Sequence, residues 1–267
     1  MADIRLIATD LDGTFLANDK TFNKALFRTV LEKLKSKNIQ FVIATGVHQS
    51  RIDILLAGFL NERIAYVTNN GARVVNASGN IIYERTLAVE ILQEVQQLLV
   101  AFPVKPNRGL VYSTDKTAYV PRAYADSMTQ DRRRYFKNII FFDDVLEIKE
   151  PIFKVTMNWQ DFDESQFYES ARQALGDRVH VTETGTGAID IVPKGVNKAV
   201  ALRVLADDMG ISMSDIVAFG DGENDLEMLA AVGRPFIMPT ASIDGQFDPV
   251  IADNNHAGVL KTILNII

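Results

Sequence analysis

The chain contains no cysteine, which excludes a disulfide scaffold, a thiolate nucleophile and a zinc site built on sulfur. Its three histidines form no cluster in the sequence. Basic side chains are outnumbered by acidic ones, 28 against 34, and the net charge of −6 leaves no basic footprint for general nucleic-acid or anionic-membrane binding. Long apolar runs are also missing, since none approaches the ~18–20 residues of a membrane span. The opening Met1-Ala2-Asp3 has no signal-peptide pattern, so a soluble, cytoplasmic protein is expected. No internal repeat or low-complexity tract is visible. What remains is ordinary globular material, 47% hydrophobic and 23% charged. At about 150 residues per domain, its length predicts one large or two modest domains.

Hydrophobic periodicity alternates along the first 80 or so residues. Arg5–Thr9, Ile39–Ala44 and Ile64–Thr68 read as short buried strands. Leu26, Val30, Leu31 and Leu34 recur at helical spacing between the first two, and Ser50–Leu60 reads as a helix between the second and third. This rhythm predicts an α/β fold with a doubly wound, Rossmann-like parallel sheet, whose ligands sit beyond the carboxyl ends of the strands. Arg73–Val75 and Ile81–Tyr83 flank a turn-forming stretch and predict a hairpin. From residue 84 to 187 apolar runs such as Ile139–Phe142 and Phe153–Met157 alternate with helical stretches around Val89–Ala101, Ala123–Lys137 and Phe162–Leu175. Ile189–Val192, the helix Lys198–Met209, the strand Ile216–Phe219 and the helix Leu226–Val232 then restore the crossover pattern. The expected organisation is a core of residues 1–83 and 188–267 with an α+β domain, 84–187, inserted into it. Gly185 and Gly187 are candidate hinges on the return.

Chemistry-bearing residues gather at the predicted strand ends. Asp10-Leu11-Asp12-Gly13-Thr14 follows the first strand directly, and there one carboxylate can attack a phosphoryl group while the other shuttles a proton. Taken alone, the same residues could form an Asp-rich turn that satisfies its own backbone. A second acidic cluster, Gly220-Asp221-Gly222-Glu223-Asn224-Asp225, follows the strand Ile216–Phe219. Carboxylates brought to ~5 Å repel by a few kcal/mol at an effective dielectric of about 20, a conflict that a divalent cation removes. An oxygen-only donor set favours Mg2+ over zinc, and the spacing does not fit an EF-hand loop. Thr45-Gly46 ends the second strand with a hydroxyl and a backbone N–H able to hold a phosphate oxygen. Lys198 stands in the first turn of its helix, where a cation is unfavourable unless an anion is bound nearby. Lys194 competes for that role, and spacing alone does not choose between them.

In this order the four signals resemble the haloacid dehalogenase-like hydrolase superfamily over essentially the whole chain. The residues that carry the resemblance are Asp10-Leu-Asp-Gly-Thr, Ala44-Thr-Gly, Lys198 and Gly220-Asp-Gly-Glu-Asn-Asp. Asn70-Gly71-Ala72 and the tail Asp253-Asn-Asn-His-Ala-Gly258-Val259 look like the Cof-type branch with a type IIB cap, and within it like bacterial sugar phosphatases. The resemblance implies that Asp10 is the nucleophile forming an aspartyl-phosphate and Asp12 the acid and base. It implies Mg2+ held by Asp10, the Asp12 backbone carbonyl and Asp221, with Asp225 as ligand or support. Leu11, Thr45, Gly46, Lys198 and Asn224 would grip the phosphate of a small phosphorylated substrate of the sugar-phosphate class. The chain departs from the family pattern at Val47-His48-Gln49, where Arg usually follows Thr-Gly, and at Pro239-Thr240-Ala241, where Gly-Asn-Ala is usual. His48 or Arg51 could take over a contact made by that Arg.

A cap implies a lid that excludes water and reads the leaving group. Candidate readers are Asp115, Lys116, Tyr119 and Arg122. The run Arg132-Arg133-Arg134 is expected to be a solvated helix face, and Trp159 to be cap core or interface packing rather than a sugar-stacking platform. Two other activities share this residue set. One is a phosphomutase or phosphotransferase that returns the phosphoryl group to a sugar, and the other is a phospho-acceptor switch or phospholigand sensor without turnover, against which Asp12 weighs.

Overall fold

A computed structural model of the protein describes residues 3–133, 136–183, 187–241, 243 and 245–267. Its strands in chain order are β1 (Leu6–Thr9), β2 (Gln40–Ala44), β3 (Ile64–Thr68), β4 (Arg73–Val75), β5 (Ile81–Glu84), β6 (Gly109–Ser113), β7 (Thr117–Pro121), β8 (Asn138–Phe142), β9 (Lys154–Asn158), β10 (Val179–Glu183), β11 (Ala188–Pro193), β12 (Ile216–Gly220), β13 (Arg234–Ile237) and β14 (Asp248–Pro249). The chain forms two compact units. One comprises Met1–Gly46, Leu55–Glu84 and Asn197–Ile267, the other Val47–Ile54 and Arg85–Val196.

The first unit holds an eight-stranded sheet in the order β14-β13-β12-β1-β2-β3-β4-β5. β1 lies between β2 and β12, parallel to both, while β4 and β5 pair antiparallel as the predicted hairpin. β1, β2, β3 and β12 are buried along their whole length, which is why they read as apolar runs without alternation. Their two faces carry different cores. Leu6, Ala8, Val42, Ala44 and Val67 pack with Leu202, Leu205, Met228 and Leu229 from the helices Lys198–Met209 and Leu226–Ala231. A cluster of Phe15, Phe27, Phe41 and Phe59 builds the other, with Phe27 centred 5.3 Å from Phe41 and 4.9 Å from Phe59. The helix Lys24–Ser36 buries Phe27, Val30, Leu31 and Leu34 and is capped by the Asn23 side chain. This is the α/β architecture expected from the alternating periods.

The second unit holds a six-stranded sheet in the order β10-β11-β9-β6-β7-β8, antiparallel except for the β7–β8 pair. One face packs on the helices Val89–Ala101 and Ser165–Leu175 through Leu92, Val95, Tyr112, Met157, Phe167 and Ile191. Trp159 belongs to this core, as expected, and its indole N–H donates to the Val104 carbonyl at 3.1 Å.

Here the expected boundary needs correction. Ile189–Val192 does not return to the first sheet. β11 pairs antiparallel with both β9 and β10, so the second unit runs on to Val196 and the first resumes at Asn197 rather than at residue 188. An apolar run buried on both sides has the same sequence signature in either sheet. The segment Val47–Ile54 also groups with the second unit, although it was expected in the core. Two helices are shorter than expected. The α-helix after β2 covers only Gln49–Leu55, and the described residues of the stretch Ala123–Lys137 hold a 3-10 segment, Arg122–Ser127, and a single turn, Gln130–Arg133.

Gly187 is tied into the second unit, its carbonyl accepting from the Trp159 N–H at 2.7 Å, whereas Gly185 lies outside the described residues. Among the described residues no helix is long and apolar enough to cross a membrane.

Candidate active site

The carboxyl ends of β1, β2 and β12 place the predicted residues in the first unit. Asp10 extends β1 by one ladder bond, its N–H donating to the Phe219 carbonyl of β12 at 3.0 Å. Its side chain is 8% exposed, and Oδ1 accepts from Lys198 Nζ at 2.7 Å. Lys198 opens its helix, which is capped by the Asn197 side chain accepting from the Val200 N–H at 2.7 Å. Its ammonium is fully buried and also bonds Asp225 Oδ1 at 2.6 Å. The competitor Lys194 is exposed and belongs to the second unit, whereas Lys198 meets the carboxylates in the first.

The second acidic cluster is folded on itself by local hydrogen bonds. Asp225 Oδ2 accepts from the N–H groups of Asp221 and Gly222, at 3.0 and 3.2 Å, closing the turn after β12. Asp221 Oδ1 accepts from the Thr14 hydroxyl at 2.6 Å, linking the two Asp-bearing loops. Gly13 makes that approach possible. At φ +86° it lies in the left-handed region, and a Cβ there would sit 2.2 Å from Asp221 Oδ2. Thr45 is buried and continues the β2 ladder, its N–H donating to the Val67 carbonyl at 2.8 Å, with Gly46 next at the same sheet edge. The Leu11 carbonyl accepts from the Leu16 N–H at 2.8 Å. Asn224 Nδ2 donates to Asn70 Oδ1 at 3.3 Å.

Carboxylate oxygens of Asp10, Asp221 and Asp225 lie within 4.8 Å of one another. At that separation two full charges repel by about 3 kcal/mol at an effective dielectric of about 20. Burial adds to this repulsion in disfavouring the charged forms. Burial raises the Asp10 pKa, Lys198 lowers it, and Asp225 and Asp221 raise it again, leaving it at about 8. Burial likewise lifts Asp221 to about 6 against the opposing hydrogen bond from Thr14. Lys198 moves upward despite its burial, because Asp10 and Asp225 both favour the ammonium. Fully ionised, three carboxylates against one ammonium would leave two uncompensated negative charges, the deficit that one divalent cation would fill. The donor set is all oxygen, which suits a hard ion such as Mg2+.

Asp12 is placed differently. Its side chain is 33% exposed and lies outside the cluster, with Oδ1 accepting from Lys20 Nζ at 2.8 Å. Thr14 and Lys20 carry contacts that the sequence reading did not assign. Thr14 lies inside the Asp10-Leu-Asp-Gly-Thr motif, whose pattern assigns its hydroxyl no role. Lys20 carries no periodic or motif signal, because its reach to Asp12 depends on the conformation of the intervening loop.

In the second unit the proposed readers have local partners. The Tyr119 hydroxyl donates to Glu150 at 3.1 Å, Arg122 pairs with Asp143, and the carbonyls of Asp115 and Lys116 accept from the N–H groups of Ser50 and Asn138. Arg133 donates to the Met128 carbonyl at 2.9 Å, while the side chain of Arg132 and the whole of Arg134 lie outside the described residues. His48 is 5% exposed, stacks on Phe136 with centroids 4.5 Å apart, and shares a 2.8 Å hydrogen bond between Nδ1 and the Ser50 hydroxyl. Burial, then the positive charges of Arg51 and Lys154, push its pKa down to about 3, so its ring is neutral.

Residues 7–263 match a model of the haloacid dehalogenase-like hydrolase family. A 5-amino-6-(5-phospho-D-ribitylamino)uracil phosphatase from Escherichia coli (strain K12) is 32% identical over 262 residues, covering 97% of this chain and 95% of that protein. An HMP-PP phosphatase from Escherichia fergusonii is 28% identical over 241 residues, covering 89% of this chain and 85% of that protein. Among solved structures, SMU.1108c from Streptococcus mutans UA159 matches with a TM-score of 0.89 at 24% identity and 98% coverage of both chains. The subclass IIB sugar phosphatase BT4131 matches with a TM-score of 0.79 at 18% identity, again with 98% of both chains covered.

Proposed function

The chain belongs to the haloacid dehalogenase-like hydrolases, and we propose that it is a Mg2+-dependent phosphomonoesterase of small phosphorylated metabolites, acting on the sugar-phosphate class through an aspartyl-phosphate on Asp10. The observation that carries this reading is the buried Asp10 carboxylate, held by Lys198 at 2.7 Å and within 4.8 Å of Asp221 and Asp225. A related enzyme is named for a phosphorylated ribityl substrate, which supports the choice of class.

The residues that would hold Mg2+ are Asp10, the backbone carbonyl of Asp12 and Asp221, with Asp225 bracing the loop and Lys198. When bound, the ion supplies positive charge against the phosphoryl oxygens and keeps Asp10 ionised. Asp10 attacks phosphorus through a carboxylate oxygen, and the ester P–O bond breaks. The proton that the departing alkoxide needs comes from the Asp12 carboxyl. In the second half Asp12, now a carboxylate, takes a proton from water, whose oxygen attacks phosphorus and releases inorganic phosphate and the Asp10 carboxylate. Lys198, Thr45, Asn224 and the backbone N–H groups of Leu11 and Gly46 supply fixed donors to the phosphoryl oxygens, so little reorganisation accompanies the charge transfer. The second unit acts as the cap that selects the alcohol.

Purified protein with Mg2+ should release inorganic phosphate from p-nitrophenyl phosphate and from hexose or pentose phosphates without a bisphosphate activator. Asp10→Asn should abolish this. Turnover retained in Asp10→Asn, or phosphoryl return to a sugar in place of hydrolysis, would overturn the reading.

A further inference from the structure

The tail motif Asp253-Asn254-Asn255-His256 takes no part in the chemistry above, yet its contacts converge on one loop. Asn254 Nδ2 donates to the Leu16 carbonyl at 2.9 Å and to Asn18 Oδ1 at 3.0 Å. Asn255 Oδ1 accepts from the Asn18 N–H at 3.0 Å. The motif is itself fixed by Asp253 Oδ1, which accepts from the His256 N–H at 3.0 Å. It is further fixed by Gly258, where a Cβ would lie 1.8 Å from the Ala252 carbonyl oxygen.

The loop held in this way is a tight turn. The Ala17 N–H donates to the Thr21 carbonyl and the Lys20 N–H to the Ala17 carbonyl, both at 2.8 Å. Asp19 Oδ1 accepts from the Thr21 N–H at 2.9 Å and from the Thr21 hydroxyl at 2.7 Å. These bonds hold Lys20 at φ +65°, a left-handed conformation that a non-glycine residue keeps only when its surroundings impose it. The product of the arrangement is the 2.8 Å contact between Lys20 Nζ and Asp12 Oδ1. At its other end the loop is bridged to Asp12 through Leu16.

We propose that Lys20, delivered by the tail-braced turn, is a positioning residue that orients the Asp12 carboxyl toward the leaving oxygen. The inference rests on the phosphomonoesterase reading and adds to it a purpose for the turn and the tail. An exposed ion pair contributes little to stability, and Lys20 is 41% exposed, so the contact matters through direction rather than folding energy. The Lys20 ammonium contacts Asp12, which lies outside the Asp10, Asp221 and Asp225 cluster. Its effect appears only where the proton from Asp12 is needed as the P–O bond breaks. An alkyl phosphate, whose alkoxide is a poor leaving group, needs that proton. p-Nitrophenyl phosphate, whose phenolate departs readily, scarcely does.

The test compares kcat/KM, which reports the steps through alcohol release, for p-nitrophenyl phosphate and ribose 5-phosphate. Wild type, Lys20→Ala, Lys20→Arg, Asn254→Ala and Asp12→Asn are measured in parallel with saturating Mg2+, and each is checked for an unchanged melting temperature. Lys20→Ala should lower kcat/KM for ribose 5-phosphate about tenfold more than for p-nitrophenyl phosphate, with KM for ribose 5-phosphate nearly unchanged. Lys20→Arg should restore most of the loss. Asn254→Ala should show the same selectivity to a smaller degree, and if it unfolds the Lys20 pair decides alone. Equal losses on the two substrates, no loss, or a gain in Lys20→Ala while Asp12→Asn remains selective would overturn the role of Lys20 alone. Absence of selectivity in Asp12→Asn would overturn the acid role of Asp12 and this inference with it.

Discussion

Lys198 Nζ lies 2.6 Å from Asp225 Oδ1, and both side chains are closed off from solvent. The same ammonium reaches Asp10, so one cation compensates two buried carboxylates from different strand ends. Lys198→Met should therefore destabilise the protein by about 3–5 kcal/mol, because it leaves buried charge uncompensated. Urea unfolding at neutral pH without divalent ions measures this loss, and a loss under about 1 kcal/mol would contradict it. Phosphatase activity should disappear in the same variant.

Metal should stabilise the fold measurably. If Mg2+ binds the folded state only, a concentration one hundred times its Kd adds about 2.7 kcal/mol, read as a higher melting temperature and reversed by EDTA. Asp221→Asn should remove most of that gain while leaving the metal-free melting temperature close to wild type, since Asp221 sits among like charges. An unchanged Mg2+ response in this variant would exclude Asp221 as a ligand.

Gly13→Ala adds a single methyl group where the backbone is left-handed and Asp221 Oδ2 is 2.2 Å away. The strained conformation costs about 1–3 kcal/mol. The displaced Asp221 carboxylate should weaken Mg2+ binding further. Isothermal titration with Mg2+ beside urea unfolding separates the two effects. Tight Mg2+ binding in a stable Gly13→Ala protein would contradict the packing described.

His48 gives a pH dependence whose sign is fixed by its environment. Its folded pKa of about 3 lies below the ordinary value of 6.5, so between those values the unfolded chain takes up a proton that the folded protein refuses. Stability should fall as pH drops from 6.5 toward 3 and level off below that. At pH 5 the expected loss from this ring is about 2 kcal/mol. His48→Gln cannot titrate, so the difference between its urea-unfolding curve and that of wild type across pH 5–7 isolates the ring. Parallel curves would contradict a neutral, buried His48.

The first unit was legible because its strands lie in the middle of a parallel sheet. Leu6–Thr9 and Gln40–Ala44 have both faces covered, so each residue is apolar or satisfied and the run is unmistakable. The polar residues that follow them, Asp10 and Thr45, stand out by contrast, and helical spacing placed Lys198 at its observed position as the first helical residue. The failures have physical causes too. Ala188–Pro193 is equally buried, and nothing in its composition says that its partners are Lys154–Asn158 and Val179–Glu183 rather than β1 or β12. The 3-10 stretch Arg122–Ser127 fully buries none of its residues, so it lacks the buried apolar face that would stabilise a longer helix. Lys20 reaches Asp12 through a turn whose shape depends on Asn254 and Asn255, more than two hundred residues later in the chain. Side-chain bonds of that range leave no periodicity to read.

The resumption of the first unit at Asn197 puts its buried ammonium on the second residue after the excursion. Gly71 accommodates that point of return, since a Cβ there would lie 2.2 Å from the Asn197 carbonyl oxygen. Changes in length within residues 85–196 need not re-aim Lys198, Asp221 or Asp225, provided the strand that leads back delivers Asn197 to the same spot. One unit can thus vary while the carboxylates and the ammonium of the other keep their geometry.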